Sequence, residues 1–394
     1  MHEFYPFFLI IFAGVFFSKI FHRVHIPWVV ALILGGIIVG PHGLNVLTVT
    51  PTLDFISQIG IVFLMFMAGL ETKISSFREF RGGLLWLAFI NGAVPFVIGL
   101  LIGYLFGYDW AASLLIGIIF VSSSIAVVIP SLERFGLIST KLGQSVVLTI
   151  IIQDITSLVL LSVLFQATAE STSLPLYIFY PLLLLILVLF RLFLPKIRTY
   201  FASHVKSGYD HYQQEFRSIF LVLIGTVIVF ELLGLHPIIA GFFAGLVLAE
   251  SVINPALKEK IRTISYGIFI PTFFIVIGAQ TDISIFTDIS GVLPLVLVVV
   301  FGSMLSKFVS GWIGGKMVGF TSQQSLLFGV SSIPQLSTTL AVAFSAMALG
   351  VLDQKLITAM VTLSIVTTVA SPMLMNIFGK KLQAAAKEKT PTEK

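Results

Sequence analysis

VSSSIAVVIP, residues Val121–Pro130, places three consecutive hydroxyls and a proline inside a run long enough to cross a bilayer. A second stretch, VSSIPQLSTTLAVA at Val330–Ala343, does the same in the other half of the chain. Hydroxyl clusters and proline take backbone groups out of the helical hydrogen-bond ladder. Lipid cannot satisfy those groups, so such interruptions persist only against other helices or a water-filled cavity. One such segment alone would read as small residues letting helices pack closely. Corresponding interruptions in both halves point instead to two crossed discontinuous helices, with Ser122, Pro334, Ser337 and Thr338 at the breaks. Crossed breaks bring helix ends of both polarities to the membrane midplane, where they stabilise ions.

Composition agrees with a membrane setting. Of 394 residues, 57% are hydrophobic and 10% charged, against about a quarter charged in soluble domains. The mean hydropathy is +1.06. The apolar runs are continuous rather than alternating, which excludes a β-barrel. The fold class is therefore an all-α integral membrane protein, with thirteen spans at 4–23, 27–44, 53–70, 82–106, 111–133, 139–166, 175–195, 217–234, 236–250, 263–279, 291–316, 321–347 and 352–378. The first run lacks a basic leader and a cleavage pattern, so it reads as a retained span. The chain has no cysteine, which excludes disulfides, thioether haem and iron–sulfur ligation. The pI near 9.3 reflects basic cytoplasmic loops rather than nucleic-acid binding.

Of the 23 Lys and Arg, 21 fall in one alternating set of loops and the tail; Lys355 lies in the other set and Lys307 inside a span. That split places the N-terminus outside and the C-terminus in the cytoplasm of a prokaryotic inner or plasma membrane. Three echoes support an internal repeat. His25-Ile26-Pro27 returns as Leu235-His236-Pro237, and GLETKISSF at Gly69 returns as GAQTDISIF at Gly278. Ser123-Ser124, Gly136 and Lys141 return as Ser337-Thr338, Gly350 and Lys355. The spacing moves each span seven places along, so the halves have opposite topology. Inverted repeats of this kind characterise secondary transporters with alternating access. The segments read as 1–81, scaffold and dimerisation helices; 82–166, transport core; and 167–216, a linker with the seventh span. They continue as 217–290, second scaffold; 291–378, second core; and 379–394, a short disordered tail.

Asp154, in IIQDITSL at 151–158, and Lys307, in GSMLSKFVSGWIGG, lie deep within their spans. A lone charge there costs roughly 2.5–3.5 kcal/mol even on insertion scales, so each faces the protein interior. Asp154 is the candidate carrier of cation and proton. A structural Asp–Lys pair fixing helix register is the alternative for Lys307. Gln153 offers a carbonyl and an amide but cannot titrate; with Asp154, Ser123 and Ser124 it is a candidate cation-binding residue. Glu71 and Glu231 fall at span ends and read as interfacial; the histidines lie at span ends or in loops. Glycines four residues apart (36/40, 99/103/107, 241/245, 311/315) read as ordinary helix packing. There is no phosphate-binding loop, catalytic nucleophile–base pair or metal cluster, so the chain reads as neither ATP-driven nor an enzyme, with no cofactor beyond its transported ions.

SSSIAVV, ERFGLIS, KLGQSVV and QDI at Gln153–Ile155, with GPHGL at 40–44 and MAGLE at 67–71, resemble the monovalent cation:proton antiporter family, in its Kef-type, potassium-efflux branch. The resemblance covers residues 1–378. It implies a mobile core of spans 4–6 and 11–13 and a dimerising scaffold of spans 1–3 and 8–10. It implies that Asp154 alternately binds cation and proton, with Ser123 and Ser124 beside the break and Lys307 near the acid. It implies electroneutral exchange favouring K+ over Na+ from Gln153, although a lysine like Lys307 is typical of electrogenic members. Many Kef-type proteins carry a nucleotide-binding regulatory domain after the last span. Only a short tail follows here, which implies a separate cytoplasmic regulatory subunit, no such regulation, or a chain cut short.

The expected function is K+/H+ antiport by an elevator-type mechanism, in a homodimer surrounded by lipid. The alternatives are Na+/H+ antiport on the same fold, sodium-coupled uptake of an organic anion, and a channel-like efflux path. An anion symporter calls for a second sodium site, and a channel for a filter; neither is visible.

Overall fold

The computed structural model describes residues 4–23, 26–71, 82–168, 189, 192, 209–232, 237–249, 255–282 and 292–388. Those residues form helices and their connections, without strands. In chain order the helices are α1 (Phe4–His22), α2 (Trp28–Val39), α3 (Pro51–Glu71), α4 (Gly82–Leu105), α5 (Trp110–Val121), α6 (Ile125–Arg134) and α7 (Lys141–Thr168). They continue as α8 (Tyr209–Leu232), α9 (Pro237–Leu248), α10 (Pro255–Ile264), a π-helical turn (Ser265–Phe269) and α11 (Ile270–Gln280). The last four are α12 (Leu293–Met317), α13 (Ser322–Ser331), α14 (Ser337–Ala348) and α15 (Gln354–Glu388). Twelve of the thirteen expected spans are present; the seventh, at 175–195, lies outside the described residues apart from 189 and 192.

Two boundaries and one proline differ from the sequence reading. The last helix runs to Glu388, so most of the tail expected to be disordered is helical, as its QAAAKE sequence of strong helix formers favours. α10 begins at Pro255, ahead of the apolar run, because Leu257 and Ile261 bury one face while Lys260 and Arg262 stay in solvent. Pro130 sits inside α6 rather than at a break.

The chain divides into two compact units, Met1–Ile20 with Ala31–Arg78 and Phe165–Gln280, and Phe21–Val30 with Glu79–Leu164 and Thr281–Lys394. In the first unit the helices meet backbone to backbone at glycines. A methyl group on Gly36 of α2 would collide with the Ile275 carbonyl of α11, and one on Gly278 would collide with the Ile33 carbonyl. Moving 209 residues along carries Gly36, Ile33 and Gly69 onto Gly245, Phe242 and Gly278. The matching contact is there: Gly69 of α3 abuts the Phe242 carbonyl of α9, with Gly245 against Phe66. The aromatic core of this unit includes Phe63 stacked on Phe269 of the π-turn, with ring centroids 5.0 Å apart.

The second unit shows the same relation at a spacing of 212. Gly99 of α4 lies against Gly117 of α5, and Gly103 against Ser113; Gly311 of α12 lies against Gly329 of α13, and Gly315 against Ser325. The terminating glycines also recur. Gly107 and Gly319 follow α4 and α12, Gly136 and Gly350 follow α6 and α14, and all four have positive φ, which glycine adopts without steric cost. An internal repeat that rested on three short echoes is thus written into the contacts. An apolar cluster including Leu87, Val128, Leu132, Val146, Leu327 and Phe328 fills this unit between α4, α6, α7 and α13.

Candidate functional site

The two interruptions fall where the hydroxyl clusters placed them. The Asp109 carboxylate caps α5 by accepting from the Ala112 N–H at 2.8 Å. The helix stops at Val121, Ser122 is extended, and α6 restarts at Ile125. α13 opens on a capping box between Thr321 and Gln324 and ends at Ser331; the chain runs non-helically through Pro334 until α14 starts at Ser337. Ser337 and Thr338 therefore begin a helix rather than sit within the break.

Each interruption satisfies the other. The Ser124 N–H donates to the Pro334 carbonyl at 2.6 Å. Ser123 Oγ donates to the Ser332 carbonyl at 2.8 Å, and the Ser122 and Thr339 hydroxyls are 3.2 Å apart. The Gln335 side-chain NH2 donates to the Phe120 and Ser122 carbonyls, both at 3.3 Å. The free carbonyls of a broken helix are paired by its repeat mate, the condition under which such a break survives in lipid.

α7 and α12 bring the two charged groups here. Asp154 is 8% exposed and Lys307 is completely buried. The Lys307 ammonium donates to the Val121 carbonyl, to Ser123 Oγ at 2.9 Å and to Gln153 Oε1 at 3.2 Å. Three N–H groups meet three neutral acceptors, which exhausts its donors. The alternative of a direct Asp–Lys pair is therefore not realised; Lys307 reaches Asp154 only through space. The groups facing the carboxylate are the Thr338 hydroxyl and the Ser123 backbone N–H. Asp154 Oδ1 and Ser124 Oγ are buried without a hydrogen-bond partner.

Ser122, Ser123, Ser124, Gln153, Asp154, Lys307, Pro334 and Thr338 thus gather around one crossing, with Ser337 at its half-buried edge. Glu71 and Glu231 sit exposed near the ends of α3 and α8. Among the described residues no cluster of His, Asp and Glu has metal-binding geometry. The sequence reading missed Asn91 and Gln335, both completely buried. Asn91 is the one strongly polar side chain in its span. The argument from isolated polarity that singles out Asp154 applies to it as well, with the smaller penalty of a neutral amide.

Interrupted helices of inverted topology, crossing beside a buried acid and a buried lysine, define a membrane antiporter of cations and protons. The chain belongs to the sodium/hydrogen exchanger family, whose transmembrane profile matches residues 8–376. It is 30% identical over 396 residues to a probable Na+/H+ antiporter 3 of Methanocaldococcus jannaschii, covering 98% of this chain and all of that one. It is 27% identical over 381 residues to an Na+/H+ antiporter of Enterococcus hirae, covering 95% and 98%. The solved structure of the sodium proton antiporter MjNhaP1 from M. jannaschii at pH 8 has the same fold, with TM-score 0.69, 17% identity and coverage of 95% and 97%.

Proposed function

We propose that the chain exchanges Na+ for H+ at Asp154, each ion excluding the other from one carboxylate that is presented alternately to the two faces. The observation carrying this reading is Asp154 Oδ1, a buried carboxylate oxygen without a donor. A buried anionic oxygen in that state is costly. A proton satisfies it from one side of the cycle and a partly dehydrated cation from the other. Ser124 Oγ, equally unpartnered, and the Thr338 hydroxyl supply further oxygen, while the Ser123 hydroxyl is held by Lys307 and the Ser332 carbonyl. Gln153 is committed to Lys307 and Asn91, so it shapes the site without ligating the ion.

Sodium replaces potassium as the leading cargo. The relatives above are named for Na+, and the amide that argued for K+ faces away from the carboxylate toward Lys307. The Kef-type branch and K+/H+ exchange remain the second reading, favoured by Gln153 in place of a second acid. One titrating acid and an ammonium held by neutral groups support one-for-one, electroneutral exchange. We further propose that the second unit moves as the transport core against the first, with the N-terminus outside and the C-terminus cytoplasmic. A homodimer would form through the first unit, where α1 exposes the stacked rings of Phe8, Phe12 and Phe16, with any regulatory subunit binding on the cytoplasmic side.

The test uses purified protein in vesicles holding a pH dye, pulsed with Na+, Li+, K+ or Rb+ with the voltage clamped or free. Na+-dependent proton movement, insensitive to voltage and absent in Asp154→Asn, is expected. Dissipation of the pH gradient by Asp154→Asn at the parental rate would sink the assignment; a larger response to K+ than to Na+ would restore the second reading.

A further inference from the structure

Asn91, on α4, is completely buried and engages four groups, on α7, on α12 and in the interruption after α13. Its Nδ2 shares two N–H groups among the Lys307 carbonyl at 3.0 Å, Ser310 Oγ at 3.0 Å and Ser332 Oγ at 3.2 Å. Its Oδ1 accepts from Gln153 Nε2 at 2.9 Å. The donor side thereby anchors Asn91 to α12 and to the second interruption. The acceptor side is left for one partner, Gln153.

That bond, with the Ser123 hydroxyl 3.3 Å from Oε1 at the other end, sets which end of Gln153 meets Lys307. An amide has one accepting and one donating end. With Nε2 held by Asn91, Oε1 is turned to the ammonium. Were Gln153 reversed, its NH2 would confront a cation that only donates, and the Lys307 ammonium would keep two neutral acceptors for three N–H groups. A buried ammonium missing a partner turns to the nearest acceptor of opposite charge. Asp154 is the anion within its electrostatic reach.

We propose that Asn91 is a positioning residue which, through Gln153, holds Lys307 on neutral acceptors and away from Asp154, leaving the carboxylate to the transported cation. Without Asn91, Lys307 becomes a tethered competitor for the same oxygen atoms. The inference rests on Asp154 being the exchanging site.

The test is a mutant cycle read by vesicle transport. Asn91→Ala should raise the KM for Na+ about tenfold, the equivalent of 1.4 kcal/mol, with a smaller change in maximal rate. In a Lys307→Gln background the same Asn91→Ala change should leave KM where Lys307→Gln alone sets it, because the competitor has been removed. Should Asn91→Ala fail to fold, Gln153→Leu cuts the same link from the other end and should show the same Lys307-dependent rise. An equal rise in KM with and without Lys307 overturns the proposal. So does a loss of maximal rate and melting temperature at unchanged KM, the mark of a purely structural role. Exchange that persists in Asp154→Asn defeats the underlying site instead, so the two failures are told apart.

Discussion

The two halves share their joints and differ in their chemistry. At the register that aligns Ser123-Ser124 with Ser337-Thr338, 214 residues on from Gln153 and Asp154 stand Thr367 and Thr368. Thr367 accepts from the Gln335 N–H at 3.1 Å, tying the second interruption to α15. On the first side Ser123 and Lys307 meet Gln153. At the register of the α4 and α12 glycines, the position matching Lys307 is Pro95, inside α4. Each half thus contributes one charge, Asp154 from the first and Lys307 from the second, and the mate of each is uncharged. Two full copies of the site would bury four charges, at roughly 2.5–3.5 kcal/mol apiece on insertion scales. Symmetry was kept where it builds close contact and dropped where it would multiply buried charge.

The largest effect expected from breaking this asymmetry is loss of transport. An acid supplied at the mate position, in Asp154→Asn combined with Thr368→Asp, should leave exchange at the level of protein-free vesicles. The second half offers no lysine cradle around Thr368, only the Gln335–Thr367 tie. Recovery of cation-driven proton movement in that double variant would make the halves chemically interchangeable. The shared joints predict the opposite, near-equal effects on both sides. Gly36→Ala and Gly245→Ala each press a methyl group onto a facing carbonyl, and each should cost about 1–3 kcal/mol as overpacking. Thermal melts in detergent that separate the two by more than the cost of either would break the equivalence. The smallest effect is at Tyr108, between α4 and α5, whose hydroxyl lies 3.4 Å from both carboxylate oxygens of Asp353. Burial, then the Asp353 charge and hydrogen bond, pushes the Tyr108 phenol above its usual range, so it stays protonated and donating at neutral pH. A raised native value stabilises below the unfolded phenol's pKa, near 10, and fades as pH rises through the native one. Tyr108→Phe should therefore lower the melting temperature slightly at pH 7, by no more than about 1 kcal/mol in stability, with the difference shrinking in strong alkali.

The spans, the interruptions and both buried charges were legible because each rests on a rule with a large energetic margin. A charge in lipid, or an unpaired carbonyl in lipid, is too costly to be accidental. Asn91 escaped because a neutral amide carries a smaller penalty and its importance lies in partners on α7, on α12 and just after α13 that no spacing along the chain reveals. Pro130 was overweighted for the converse reason: α6 tolerates it, and the extended Ser122–Ser124 makes the break. The helical extensions at Pro255 and beyond Phe378 were missed because hydropathy marks where lipid begins, not where a helix does. The direction in which Lys307 points was likewise out of reach, since 153 and 154 are both within range of a flexible lysine and only the packed site chooses between them.

The glycine contacts of the first unit bear on more than packing. Helices in lipid gain no hydrophobic drive toward one another, so their cohesion comes from short-range contact. Where Gly36, Gly69, Gly245 and Gly278 let main chains touch, that cohesion carries no formal charge and takes up no proton. It does not weaken as salt rises and does not titrate as pH falls. A protein that works on gradients of cations and protons thereby has joints in its first unit that neither gradient alters.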